Sequence, residues 1–224
     1  MGHMPRLFNT LLQPAGCMPR RRSAWAVVLL LASSALCLLV AAMVMPTPYS
    51  WFSNAISESA AQAQRGAWVA RLGFLLFGVA VLWLAALRKT VWARATRWML
   101  LAFALCMLGT AAFSHKPWLP NVPFDPFEDG LHSLTATSMG FAFSFGVLAR
   151  LLQRGPDDGW TRAGDVVALI AASALSPLGE VWPPLAGLFQ RALFAVAYAW
   201  FIGEALAVRD AGQTPQGWRK TGLK

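Results

Sequence analysis

The sequence predicts an all-α polytopic membrane protein, with six transmembrane helices and a short interfacial helix between the first two. Hydrophobic residues make up 57% of the 224 positions and charged residues 13%, where ordinary globular domains carry about 25% charged. Mean hydropathy is +0.49. The apolar residues also fall in runs that, at a rise of ~1.5 Å per helical residue, can cross a hydrocarbon core ~30 Å thick. One domain's worth of chain this apolar has to turn its surface to lipid.

The elements follow in chain order. Met1-Gly2-His3-Met4 reads as an added leader before a native Met4, and His3 is set aside with it. Residues 1–22 form a basic segment broken by Pro5, Pro14 and Pro19 and ending in Arg20-Arg21-Arg22. The apolar run 23–45 is too long for a signal peptide and is the first span, ended by Pro46 and Pro48. From Pro48 to Glu58 a short helix is expected in the interface. Helical spacing would put Ser50, Asn54, Ser57 and Glu58 on one face, leaving Trp51, Phe52 and Ile56 to enter lipid or the bundle. Further spans are expected at 67–87, 97–113, 131–152, 165–182 and 186–208, with Pro183-Pro184 making a tight hairpin of the last two. The transmembrane domain is thus 23–208, followed by a basic tail at 209–224. Cys17, Cys37 and Cys106 are too scattered for a disulfide framework.

Charge placement sets the orientation. With both termini in the cytoplasm, Arg6, Arg20, Arg21, Arg22, Arg88, Lys89, Arg94, Arg97, Arg150, Arg154, Arg162, Arg209, Arg219, Lys220 and Lys224 lie inside. These are fifteen of the nineteen basic residues, leaving Arg65, Arg71, Lys116 and Arg191 outside. The positive-inside rule favours that arrangement, with both termini cytoplasmic. The net charge of +9 is therefore a topology signal, and nucleic acid is excluded as a partner; the expected partner is membrane lipid. The oligomeric state is left open.

This orientation gathers the polar residues at the outer end, where ionisable groups at membrane depth mark a site. His115 and His132 are the two native histidines. Asp125-Pro126-Phe127-Glu128 fits a helix start, with Asp125 as cap, Pro126 first in the helix and Glu128 third. Asp129 and His132 are three apart and share a helical face, so the carboxylate can orient the imidazole. His115, ending the third span, can reach the same point. His115, His132 and Asp129 are accordingly the candidate ligands of a divalent metal, zinc by donor type, against a polar plug that only fixes helix packing. Ser57 and Glu58 are candidates for proton handling beside them. Arg191, with Gln190 and Asn54, is the candidate headgroup-binding set, because a guanidinium fork suits phosphate. Arg191 is expected to pair with Glu58, Asp129 or Glu180 unless it snorkels. Arg88 is expected to be unpaired, and Glu204 is given no role.

These residues also carry a resemblance. Tyr49-Ser50 with Ile56-Ser57-Glu58, the Asp125 loop running to Leu131-His132, and Gly187-Leu188-Phe189-Gln190-Arg191 with Trp200 resemble a family of bacterial six-helix membrane proteins, domain of unknown function 998. The likeness covers nearly all of the chain from Ser23 onward and implies a six-helix bundle. A looser likeness links such proteins to transmembrane hydrolases of the alkaline ceramidase and progestin-receptor type, which hold zinc with three histidines beside a Ser and an Asp. Two functions follow as expectations. The preferred one is an integral membrane hydrolase acting on a lipid amide or ester, with His132, His115, Asp129, Ser57 and Glu58 as its catalytic set. The other is a non-enzymatic lipid-binding or transport bundle using the same outer pocket.

Overall fold

Each apolar run becomes one helix, with ends within a few residues of the run's own. The computed structural model describes residues 20–156 and 158–211. Most of the basic segment expected at 1–22 and most of the tail at 209–224, with their topology charges, lie outside the described residues. The helices are α1 (Arg20–Met43), α2 (Ala67–Leu87), α3 (Arg94–Ala112), α4 (Pro126–Gln153), α5 (Gly159–Val181) and α6 (Ala186–Ala211). All six are long and apolar enough to cross a membrane, and the chain is an integral membrane protein. Two 3-10 turns join them, Ser57–Ala60 and Pro183–Leu185. The short helix expected before the second span is the first of these turns, at the end of an otherwise irregular run.

Hydropathy sees only the apolar part of a helix, so α1, α3, α4 and α5 start earlier than expected, while α2 and α6 start where expected. Asp125 accepts from the backbone N–H of Phe127 at 2.8 Å and of Glu128 at 3.4 Å. With Pro126 as the first helical residue, α4 therefore begins ahead of the apolar run at 131. The fifth span likewise starts at Gly159 instead of 165 and keeps Pro177 inside it.

The helices pack in sequence order, and α6 returns to α1 while also touching α2. Successive spans alternate direction, so the bundle has two ends. One, here the basic end, gathers the start of α1, the α2–α3 and α4–α5 connections and the end of α6. The other, the histidine end, gathers the α1–α2, α3–α4 and α5–α6 connections. Lipid tails are as apolar as leucine, so close packing and hydrogen bonds hold such helices together. Ser34 is fully buried; its Oγ lies 2.6 Å from the Gly73 carbonyl and 2.6 Å from the Tyr198 hydroxyl, tying α1 to α2 and α6. Aromatic rings fill the centre. Phe77 stacks on Tyr198 with centroids 4.4 Å apart and meets Phe103 and Phe201 edge-on at 5.5 and 5.6 Å. Phe143 closes the group against Phe103 and Phe201. This aromatic layer separates the polar groups of the two ends.

Candidate functional site

At the histidine end, the first two turns of α4 knit the strand of chain that leaves α3. A helix end leaves carbonyls without partners, and the extended residues beyond it leave N–H groups as well. His132 Nδ1 lies 2.9 Å from the Phe113 carbonyl. Glu128 accepts from the Ser114 N–H at 2.9 Å, and Asp129 from the Lys116 N–H at 2.8 Å. Gln62 closes the other side: its N–H donates to the His115 carbonyl at 2.8 Å, and its side chain bonds the Asp125 N–H and carbonyl. Glu128 is thereby a structural acceptor across the α3–α4 connection.

The two histidines converge, as their scarcity suggested, with ring centroids 5.2 Å apart. Their carboxylate partner differs from the expectation. Asp129 Oδ1 is 2.7 Å from His115 Nδ1, whereas His132, one turn further along, is taken by the Phe113 carbonyl. His115 is partly exposed, its side chain at 23%, and its Nε2 makes no hydrogen bond among the described residues. His132 is 1% exposed, and its buried Nε2 also lacks a partner.

With His115 Nδ1 on Asp129 and His132 Nδ1 on the Phe113 carbonyl, a zinc ion here would have to take both imidazoles through Nε2. The rings lie face to face with 23° between their planes, and imidazole lone pairs lie in the ring plane. Among the described residues no three His, Cys, Asp or Glu side chains form a metal-holding group. Close by is a cavity of about 500 Å³ lined by Gln62, Arg65, Trp68, Arg71, Ser114 and Glu128 among others; the histidines do not line it.

The residues expected to bind a headgroup form a latch instead. Arg191 Nη1 donates to the carbonyls of Trp51 and Asn54, both at 2.7 Å, and of Gly187 at 2.9 Å; Nη2 donates to the Tyr49 hydroxyl at 2.8 Å. Its guanidinium also lies over the Trp51 ring, 4.9 Å from the centroid. Burial raises the Tyr49 pKa against the opposing pull of Arg191. The protonated hydroxyl donates in turn to the Ala55 carbonyl at 3.2 Å. Gln190 accepts from the Ile56 N–H, and Glu58 from the Ala55 N–H and the Asn54 side chain. The expected ion pair of Arg191 is therefore replaced by carbonyls, because the run before Ser57 is irregular and leaves its carbonyls free. Ser57 bonds neither histidine. Gly187 is required here: a Cβ would strike the Asn54 carbonyl and come within 2.8 Å of that of Trp51.

At the basic end lies a buried network that sequence reasoning missed. Glu204 accepts from Arg88, from Trp92 Nε1 at 2.8 Å, from Arg150 Nε at 3.2 Å and from Arg154. Asp165 accepts from Arg154 Nε at 2.5 Å and Trp200 Nε1 at 2.8 Å. Arg88 is 5% exposed and Glu204 2%, so the expectation that Arg88 is unpaired is overturned. The signal was present. Glu204 is an acid inside an apolar span, which by default needs a partner, and the arginines were read only as topology charges. Beside the network, α5 and α6 enclose a groove of about 430 Å³ whose lining includes Arg154, Trp160, Asp165, Val196, Trp200 and Gly203.

Comparison with known proteins gives one match. A family described as "Protein of unknown function (DUF998)" matches residues 39–207. No curated protein and no solved structure matches the chain.

Proposed function

The chain belongs to the DUF998 family, and on that premise we propose that it is a membrane-embedded hydrolase acting on a lipid ester or amide at its histidine end. The observation that carries this reading is the His115–Asp129 hydrogen bond of 2.7 Å on a partly exposed imidazole whose Nε2 is uncommitted. A base held by a carboxylate, with its second nitrogen free, is the orienting half of a hydrolytic site. His115 Nε2 takes the proton of a water as its oxygen adds to the carbonyl carbon. Asp129 stabilises the resulting imidazolium, which then returns the proton to the departing alkoxide or amine. His132, stacked on His115, holds the ring in place, and the polar cavity beside Ser114 receives the headgroup. Glu58, Asn54, Gln190 and Arg191 support the scaffold in this reading, and Ser57 has no part in it. The distribution of basic residues supports placing the histidine end outside a bacterial cytoplasmic membrane, with both termini in the cytoplasm.

A second reading, a lipid-binding or transport bundle without chemistry, is favoured by one observation: among the described residues no hydroxyl or thiol is hydrogen-bonded to either imidazole. The test separates the two. Purified protein in nanodiscs is assayed on fluorogenic phospholipid esters and N-acyl amides. Wild type is expected to turn over one class, and Asp129→Asn, which keeps an oxygen for the Lys116 N–H, to lose about 10²–10⁴-fold in rate with unchanged melting. Lipid binding without turnover in the wild type, or full activity in Asp129→Asn, sinks the hydrolase reading.

A further inference from the structure

Among the described residues, the buried arginines of the basic end have more donors than Glu204 and Asp165 take up. Each guanidinium offers five N–H donors, yet Arg88, Arg150 and Arg154 hold only five hydrogen bonds among them within the described residues. Arg88 Nε is buried with no partner, although the residue is 5% exposed. Among the described residues, three arginines against Glu204 and Asp165 leave a net charge of +1 in a buried place. Buried donors and charges of this kind call for an acceptor of opposite sign.

The groove beside them shows what form the acceptor takes. Arg154 lines it at the end nearest the α4–α5 connection, its Nη1 without a hydrogen bond among the described residues. The remainder is largely apolar: Val167 from α5 and Val196, Ala199, Gly203 and Ala207 from α6. From Val196 to Ala207 the helix rises roughly 16 Å, about half of a ~30 Å hydrocarbon core. Val167, Ala199 and Gly203 are exposed, so the groove opens sideways from the bundle. Arg162, next in sequence to the lining residue Thr161, donates to the Arg154 carbonyl at 3.2 Å, and Trp160 lines the groove at 94% exposure, as interfacial tryptophans do. A charged head beside an apolar channel half a bilayer deep matches one molecule, an anionic phospholipid lying along the helices.

We propose that the α5–α6 groove binds one anionic phospholipid, its phosphate on Arg154 and Arg162 and one acyl chain along the face from Ala207 to Val196. Such basic pockets between transmembrane helices recognise lipid headgroups. This site is at the opposite end from the histidines and does not rest on the hydrolase reading.

Native mass spectrometry of the full chain in detergent tests it, with phosphatidylglycerol, phosphatidylcholine of the same acyl chains, and inorganic phosphate as probes. Phosphatidylglycerol is expected to bind about tenfold more tightly than phosphatidylcholine, the scale of one or two charge contacts at a membrane surface. A Cβ added at Gly203 or at Gly164 would meet no atom within 4 Å. Gly203→Leu should therefore fold, obstruct the groove and lower phosphatidylglycerol affinity about tenfold; Gly164→Leu, from the facing helix, should do the same. Equal binding of the two lipids overturns the proposal whatever the variants do. Displacement of phosphatidylglycerol by an equal concentration of inorganic phosphate would make this a free-anion site and overturn it too. Undiminished affinity in a folded Gly203→Leu or Gly164→Leu protein places the lipid elsewhere.

Discussion

Replacing Glu204 with glutamine should be among the most damaging single changes available to this protein. Its two oxygens serve Arg88, Trp92, Arg150 and Arg154. Glutamine keeps one acceptor but turns an NH₂ toward N–H donors and raises the local charge from +1 to +2. Breaking a buried ion pair by removing one partner costs about 3–5 kcal/mol. At ~2–4 °C per kcal/mol for a chain of this size, the melting temperature should fall by roughly 6–20 °C. Tryptophan fluorescence on heating in detergent is a suitable assay, since Trp92 and Trp200 bond the two carboxylates directly. The double variant Glu204→Gln with Arg88→Leu returns the local charge to +1 and should recover part of the loss. A fall below ~2 °C in the single variant, less than 1 kcal/mol on that scale, would refute the argument. So would strictly additive effects in the double variant, because residues sharing one network should couple.

Other outcomes follow from the geometry already described. Gly187→Ala drives a methyl into two backbone carbonyls and should destabilise by about 1–3 kcal/mol, measurable in the same melt; a neutral result would mean that the run 49–60 does not rest on α6. Asp125→Ala removes the cap of α4 and should cost about 1 kcal/mol, with Asp125→Asn nearly neutral. Cysteines placed at Pro120 and Gly155 should differ in intact cells, an impermeant reagent labelling only the first. Labelling of the second alone would invert the proposed orientation and put the histidines in the cytoplasm.

Much of the architecture could be read from the chain because lipid imposes it: a span needs its apolar run, and six runs gave six helices. The start of α4 was legible for a local reason, since Asp125-Pro126 carries its own capping chemistry. The histidines drew attention by scarcity and do meet. Their partner was misjudged because helical spacing relates Asp129 to His132, while the chain leaving α3 brings His115 closer. Arg191 stood out as a charge that needs partners, but a sequence does not display the free carbonyls of an irregular segment. Glu204 was missed for a deeper reason. Its partners come from the ends of α2 and α4, over 50 to 116 positions away, and meet it only because the ring of helices closes.

That closure has a consequence for how the protein is made. The last helix supplies Glu204 to the arginine network and Gln190 and Arg191 to the run after α1. A ribosome that has delivered five spans has therefore placed three arginines near the membrane with Asp165 as their only carboxylate in this network. It has also left the 49–60 backbone without the side chains that bind it. Exposed polar groups of this sort are costly in lipid, so the five-span chain is held together less well than the finished one. Arrival of α6 completes both ends in one step. A chain truncated after Val181 would carry five of its six spans and still lack the closure at either end, because its missing piece is the one that both ends share.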